Sequence, residues 1–194
     1  MLSVNKLVKY YGQQPVIKEL SLQFANKRSC IVGANGSGKT TLLFILAGLV
    51  KPDSGHVLWQ EQKVTSPQSL TAIASDAISI PSFLTARKLF LLTQTMWQLD
   101  FPDKLIAAFG LTPHLDKTID QLSAGNLKKT HLINAFMRNP SLLLLDEPNI
   151  ALDEGSCKAL WQAIDEFSGA IIVATNEPAI FAAKHFAVQG ISSD

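Results

Sequence analysis

"SCIVGANGSGKTTLLFILAGL", residues 29 to 49, decides the fold. Ser29 to Val32 read as a fully buried strand, and Thr40 to Leu49 carry a helical pattern. Between them Gly33, Ala34, Asn35, Gly36, Ser37, Gly38, Lys39 and Thr40 satisfy G-x-x-x-x-G-K-[ST] in the setting that pattern requires, strand then glycine loop then helix. Glycines let the backbone curl until successive N–H groups face one concavity, and the helix that follows adds the positive end of its dipole. The stretch Gly33 to Thr41 therefore suits a polyphosphate, with Lys39 reaching the β and γ phosphates and Thr40 offering its hydroxyl to Mg2+.

Working outward, Leu2 to Lys9, Val16 to Phe24 and Gly55 to Trp59 alternate like half-exposed strands, whereas Leu142 to Leu145 and Ile171 to Ala174 are as apolar as Ser29 to Val32. The first group predicts an antiparallel layer and the second a parallel sheet. Helical patterns occupy Thr85 to Leu99, Pro102 to Phe109, Leu127 to Met137, Glu154 to Phe167 and Pro178 to Lys184, several opened by Ser, Thr, Asp or Pro. Strand alternating with helix implies α/β. From about Asp76 to about Gly125 no convincing strand occurs, which predicts a helical insertion carried by the sheet domain.

Composition bounds the function classes. The 194 residues, 47% of them hydrophobic, suffice for one good core with a small appended subdomain. Seventeen basic against sixteen acidic residues leave a net charge of +1, so nothing favours wholesale binding to nucleic acid or an anionic membrane. The amino terminus lacks the form of a secretory signal, and the longest apolar run, Leu42 to Val50, falls far short of the roughly 20 residues that span a bilayer. The chain reads as soluble. Cys30 and Cys157 lack metal-ligand spacing and read as reduced structural thiols of a cytosolic protein. His56, His114, His131 and His185 fall in unrelated segments without i, i+4 pairing.

A second stretch, "LLLLDEP" at 142 to 148, ends a buried strand in Asp146 and Glu147. Polar residues at the carboxyl end of a parallel strand lie where open α/β sheets keep their ligands. Phosphoryl transfer is mostly positioning and charge neutralisation, which assigns Asp146 to the metal and Glu147 to the attacking water. Alone, this run would read as a helix cap; the glycine loop upstream decides otherwise. A third stretch, "LSAGN" at 122 to 126, places Ser123 and the Gly125 amide before the helical pattern LKKTHLINAF, a second anion cradle.

With these three stretches in this order, the chain resembles the ATP-binding cassette ATPases over essentially its whole length. GANGSGKT matches Walker A, LSAGN the signature loop, LLLLDEP Walker B and NIALD the D-loop. The resemblance implies a P-loop NTPase of RecA-like class, with a mostly parallel sheet, an amino-terminal antiparallel β layer and an inserted helical subdomain. Residues 1–194 would form one nucleotide-binding domain, 1–75 and 126–194 making the catalytic core with its β layer and 76–125 the helical subdomain. It further implies ATP and Mg2+ as ligands and a sandwich dimer, homo- or heteromeric, in which the signature of one cassette closes over ATP held by the other. Asp153 would be the D-loop residue at that interface. An aromatic residue before a glycine near the amino terminus stacks on adenine in this family; Tyr11 in "KYYG" fits, with Tyr10 or a purely structural tyrosine as alternatives. The segment "KPDSGHVLWQ" at 51 to 60 resembles the subset acting in cytochrome c maturation as the haem-exporter ATP-binding subunit.

Three positions depart from the family pattern. Asn176, after the strand IIVAT, stands where most relatives carry a histidine that contacts the γ-phosphate; an amide donates a hydrogen bond but carries no proton or charge. Near 75 to 77 the family's glutamine is missing, and Asp76 is the nearest polar substitute as a Mg2+ ligand, a solvated loop being the alternative. Asn126 ends the signature in place of glutamine, followed by Lys128 and Lys129. The resemblance thus supports an ATPase slowed by Asn176, acting as motor for an integral membrane transporter subunit on the cytoplasmic face. The alternative is a hydrolysis-impaired ATP-binding regulatory module. The apolar run "AISIPSFLTARKLF" at 77 to 90 lies where the family docks its membrane subunit, a core segment being the alternative.

Overall fold

The computed structural model describes residues 2–64 and 66–191. Residues 1, 65 and 192–194, including both ends of the expected 1–194 domain, lie outside the described residues. In chain order the elements are strands β1 (Leu2–Tyr11), β2 (Gln14–Phe24) and β3 (Arg28–Val32), helix α1 (Lys39–Leu46), strands β4 (Ser54–Trp59) and β5 (Gln62–Lys63), the one-turn helix α2 (Pro67–Leu70) and strand β6 (Thr71–Ala74). There follow helices α3 (Ala86–Trp97), α4 (Asp103–Ala108) and α5 (Ala124–Met137), strand β7 (Leu142–Asp146), helix α6 (Glu154–Glu166), strand β8 (Ala170–Thr175), helix α7 (Pro178–Ala182) and strand β9 (Ala187–Gly190). Two compact units result: Met1–Thr71 with Ser141–Glu147 and Gly169–Asp194, and Ala72–Pro140 with Pro148–Ser168.

The first unit holds two sheets. One is antiparallel in the order β2-β1-β4-β5. Its first hairpin turns at Gly12, whose φ of 62° is the left-handed conformation that a two-residue turn requires. Alternation along β1 buries Leu2 and Val4, and a register shift before Leu7, with Lys6 at φ 46°, leaves Asn5 and Lys6 exposed and brings Leu7 into the core. Of the other sheet, which has five strands, this unit contains β7-β8-β3-β9, all parallel. Strands covered on both faces need unbroken apolar runs, and all of Leu142 to Leu145 and Ile171 to Ala174 are buried. Helix α1 packs on β7 and β8, and α7 on β3 and β9. The register aligns the carboxyl ends: Val32 lies opposite Thr175, and Asp146 opposite Ala174. Three loops therefore leave the sheet at one level.

The second unit is built on α3, α4, α5 and α6 around Phe90, Phe109, Leu111, Leu132 and Leu160. The Phe90 and Phe101 rings meet edge to face at 6.3 Å. Thr93 donates to Asn134 at 2.7 Å, tying α3 to α5. Helix α5 starts at Ala124, three residues before the expected Leu127, because the Ser123 hydroxyl accepts the Asn126 N–H and caps it. Gly125, a poor helix former, disguised that first turn. Strands β6 and β9, four residues each, were not expected from the sequence. Among the described residues, no helix is long and apolar enough to cross a membrane.

Candidate active site

Helix α1 begins after Gly38, whose φ of 90° excludes ordinary side chains, and a Cβ there would meet the Val16 carbonyl at 2.9 Å. A Cβ on Gly33 would lie 2.5 Å from Ser37 Oγ and 2.7 Å from the Ile191 carbonyl. The loop is thus wound too tightly for anything but glycine at these two points. Lys39 is buried and its ammonium donates to the carbonyls of Gly33 at 2.7 Å and Ala34 at 3.1 Å and to Asn176 Oδ1 at 2.8 Å. One step along the helix, Thr40 Oγ1 donates to Asp146 Oδ2 at 2.9 Å. A hydroxyl and a carboxylate in contact form the hard-oxygen pair suited to Mg2+.

Glu147 follows the strand end in a left-handed conformation, φ 44°. Its two carboxylate oxygens are held from β8: Oε2 accepts the Thr175 hydroxyl at 2.9 Å and Oε1 the Asn176 N–H at 3.0 Å. Asn176 also donates through Nδ2 to Asn35 Oδ1 at 2.7 Å. The position of the opening departure is therefore a junction between the glycine loop, Lys39 and Glu147. Beneath it Cys30 is fully buried in β3, and burial, aided by the charge of Glu147, pushes its thiol up to about 11.

Tyr11 ends β1 half exposed, with the Lys9 ammonium 5.7 Å from its ring centre. Register places Tyr11 opposite Gln14, two residues from the Val16 carbonyl that abuts Gly38. Asp53 steadies that strand end, accepting the Tyr10 N–H at 2.6 Å and Lys9 at 3.1 Å. Tyr10 is exposed to a similar degree, so its ring is as available as that of Tyr11.

Ser123, Gly125, Asp153 and Asp76 belong to the second unit. Gly125 faces the Ala151 carbonyl, which a Cβ would approach to 2.7 Å. Asp153 caps α6, accepting the Ser156 N–H at 2.8 Å, and binds Lys129 at 2.8 Å. Those bonds, Lys129 first, hold its carboxyl well below the usual carboxylate range. Asp76 is exposed and meets the deeply buried Lys128 at 2.7 Å. That pairing, the hold of Thr175 on Glu147 and the partnership of Asn35 with Asn176 escaped the sequence reading. They join residues 28 to 141 positions apart, for which a single sequence carries no local signal.

A family profile described as ABC transporter matches residues 17–149, from β2 through the loop after β7. The chain belongs to the ABC transporter family. The cytochrome c biogenesis ATP-binding export protein CcmA of Legionella pneumophila (strain Lens) is 29% identical over 191 residues, with 91% of this chain and 93% of that one covered. The zinc import ATP-binding protein ZnuC of Psychrobacter cryohalolentis is 33% identical over 174 residues, with 86% and 68% covered. A solved ATP-binding subunit of an ABC transporter shares the fold, with a TM-score of 0.84 at 21% identity over 98% of this chain and 85% of that one. The chain is thus an ABC transporter ATP-binding subunit, of a family that binds ATP with Mg2+ and hydrolyses it. The residues present fit such a ligand. Among the described residues the buried Ser37 Oγ of the glycine loop has no hydrogen-bond partner, and the Lys39 ammonium donates to the neutral oxygens of Gly33, Ala34 and Asn176.

Proposed function

We propose that this ABC subunit hydrolyses ATP with its own first unit as the catalytic face and drives a separately encoded membrane subunit. The observation that carries the reading is the meeting, at the level ends of β3, β7 and β8, of Lys39, the Thr40–Asp146 pair and the Glu147–Asn176 pair. Amides of Gly33 to Gly38 cradle the phosphates and Lys39 reaches the β and γ positions. Thr40 and Asp146 would hold Mg2+, which when bound would supply charge neutralisation for the phosphates. Glu147 orients the attacking water and takes its proton. Tyr11 stacks on adenine. Asp76, whose carboxylate is paired with Lys128, stands in this reading as the substitute for the missing glutamine at Mg2+.

In the same reading residues 1–194 work as one nucleotide-binding domain, with a helical subdomain inserted between 76 and 125. The second compact unit encloses that insertion and adds α5 and α6. Ser123, Gly125 and Asp153 face ATP held by a second cassette, so the working form is a dimer on the cytoplasmic face of a membrane, attached through its membrane partner. No role falls to nucleic acid. Likeness to CcmA over nearly the full length of both chains supports haem export in cytochrome c maturation as the process served.

A second reading, a regulatory module that binds ATP and turns over negligibly, is favoured by one observation: the Asn176 side chain offers Lys39 an amide oxygen where most relatives present an imidazole. Steady-state ATPase measurements on the parent, Glu147→Gln and Asn176→His separate the two. The motor reading expects parental turnover that Glu147→Gln lowers by about 10² to 10³. An inactive parent that Asn176→His awakens establishes the module instead.

A further inference from the structure

An ammonium group only donates hydrogen bonds, so the Asn176 atom 2.8 Å from Lys39 Nζ is the amide oxygen. The amide nitrogen then faces Asn35 Oδ1 at 2.7 Å, a good donor–acceptor match. Each partner fixes the other's orientation. With both satisfied, Lys39 has three oxygen acceptors, Gly33 O, Ala34 O and Asn176 Oδ1, one for each of its three hydrogens. The glycine loop is closed on its own lysine, and the Asn176 side chain turns a partially negative oxygen toward the ammonium that an anion would take.

We propose that Asn35 is a positioning residue: through the Asn176 amide it holds Lys39 in a self-satisfied state that a nucleotide must open before its terminal phosphates reach the ammonium. The proposal rests on the nucleotide-site reading above and adds a regulation to it. Turning the Asn176 amide by half a revolution presents its N–H groups to a phosphate oxygen, but that turn breaks the bond to Asn35. Asn35 therefore opposes binding in the free protein, although it stands in the loop that binds.

Asn35 is exposed, so alanine there leaves the core intact. Two measurements test the idea, an amide NMR spectrum of the nucleotide-free protein and calorimetric binding of Mg-ATP to wild type, Asn35→Ala, Asn176→Ala and the double variant. The expected spectrum shows a slowly exchanging Asn176 side-chain amide whose signals move in Asn35→Ala. Binding is expected to tighten by about 3- to 10-fold in Asn35→Ala, the worth of one net hydrogen bond, and not to tighten when Asn35→Ala is added to Asn176→Ala. An Asn35→Ala protein that binds as wild type or more weakly, or the same change in both backgrounds, overturns the proposal, as does a freely exchanging Asn176 amide. Absence of Mg-ATP binding to wild type with the NMR signature intact removes the nucleotide-site reading and leaves the amide pair standing.

Discussion

Glu147 leaves β7 in a left-handed conformation at the centre of the candidate site's hydrogen bonds. A non-glycine residue at φ 44° is uncommon and stores strain of order 1–3 kcal/mol, tolerated where the surroundings over-determine it. Here the surroundings are the end of β8, with Thr175 and Asn176 each taking one carboxylate oxygen. Replacing Thr175 by valine keeps its shape and deletes the hydroxyl. Since that hydroxyl also accepts the Glu177 N–H, the buried change is expected to lower stability by about 1–3 kcal/mol. With one oxygen released, turnover is expected to fall about tenfold while the affinity for Mg-ATP stays unchanged; Michaelis profiles beside a thermal melt check both. Lys39, Thr40 and Asp146 were legible in the sequence because their geometry is set within a few residues of a glycine loop or a strand end. The neighbours of Asn176 were not, since Lys39 and Asn35 lie 137 and 141 positions away.

Helices α5 and α6 share a device: each begins on a side-chain oxygen that accepts the backbone N–H three residues on, Ser123 for α5 and Asp153 for α6. Lys129 of α5 then reaches Asp153, so the two caps belong to one network. Asp153→Ala is expected to destabilise the protein by about 1 kcal/mol at neutral pH through the lost cap. Its carboxyl is held below the ordinary value, so the contribution is full above about pH 4, where the unfolded chain's carboxyl is also charged, and fades as pH falls toward the lowered folded value. Urea titrations of parent and variant at pH 7 and pH 3 are therefore expected to show a smaller difference at the lower pH, without reaching zero. The cap of α6 was visible in the sequence as Asp153 before an amphipathic run. That of α5 was misread because Gly125 sits in its first turn.

For the molecule as a whole, patterning exposed the α/β class: β1, β2 and β4 mix exposed and half-buried positions, whereas Ser29 to Ile31, Leu142 to Leu145 and Ile171 to Ala174 are continuously buried. The contacts among the helices were less visible: α5 meets α3 and α4, and α6 meets α4, through pairs such as Thr93 with Asn134 that no local pattern announces. Cys30 is wholly enclosed in β3 between β8 and β9, its thiol far too basic to ionise at neutral pH, whereas Cys157 is partly open to solvent. Alkylation is therefore expected in two stages, and mass spectrometry following the slower one clocks how often an interior strand of the sheet comes apart. A triphosphate seated on the loop that continues that strand is expected to stretch this interval by about 100-fold at a hundred times its dissociation constant. The protein thus carries an intrinsic chronometer of its own breathing, readable without turnover, a partner or a label introduced by mutation.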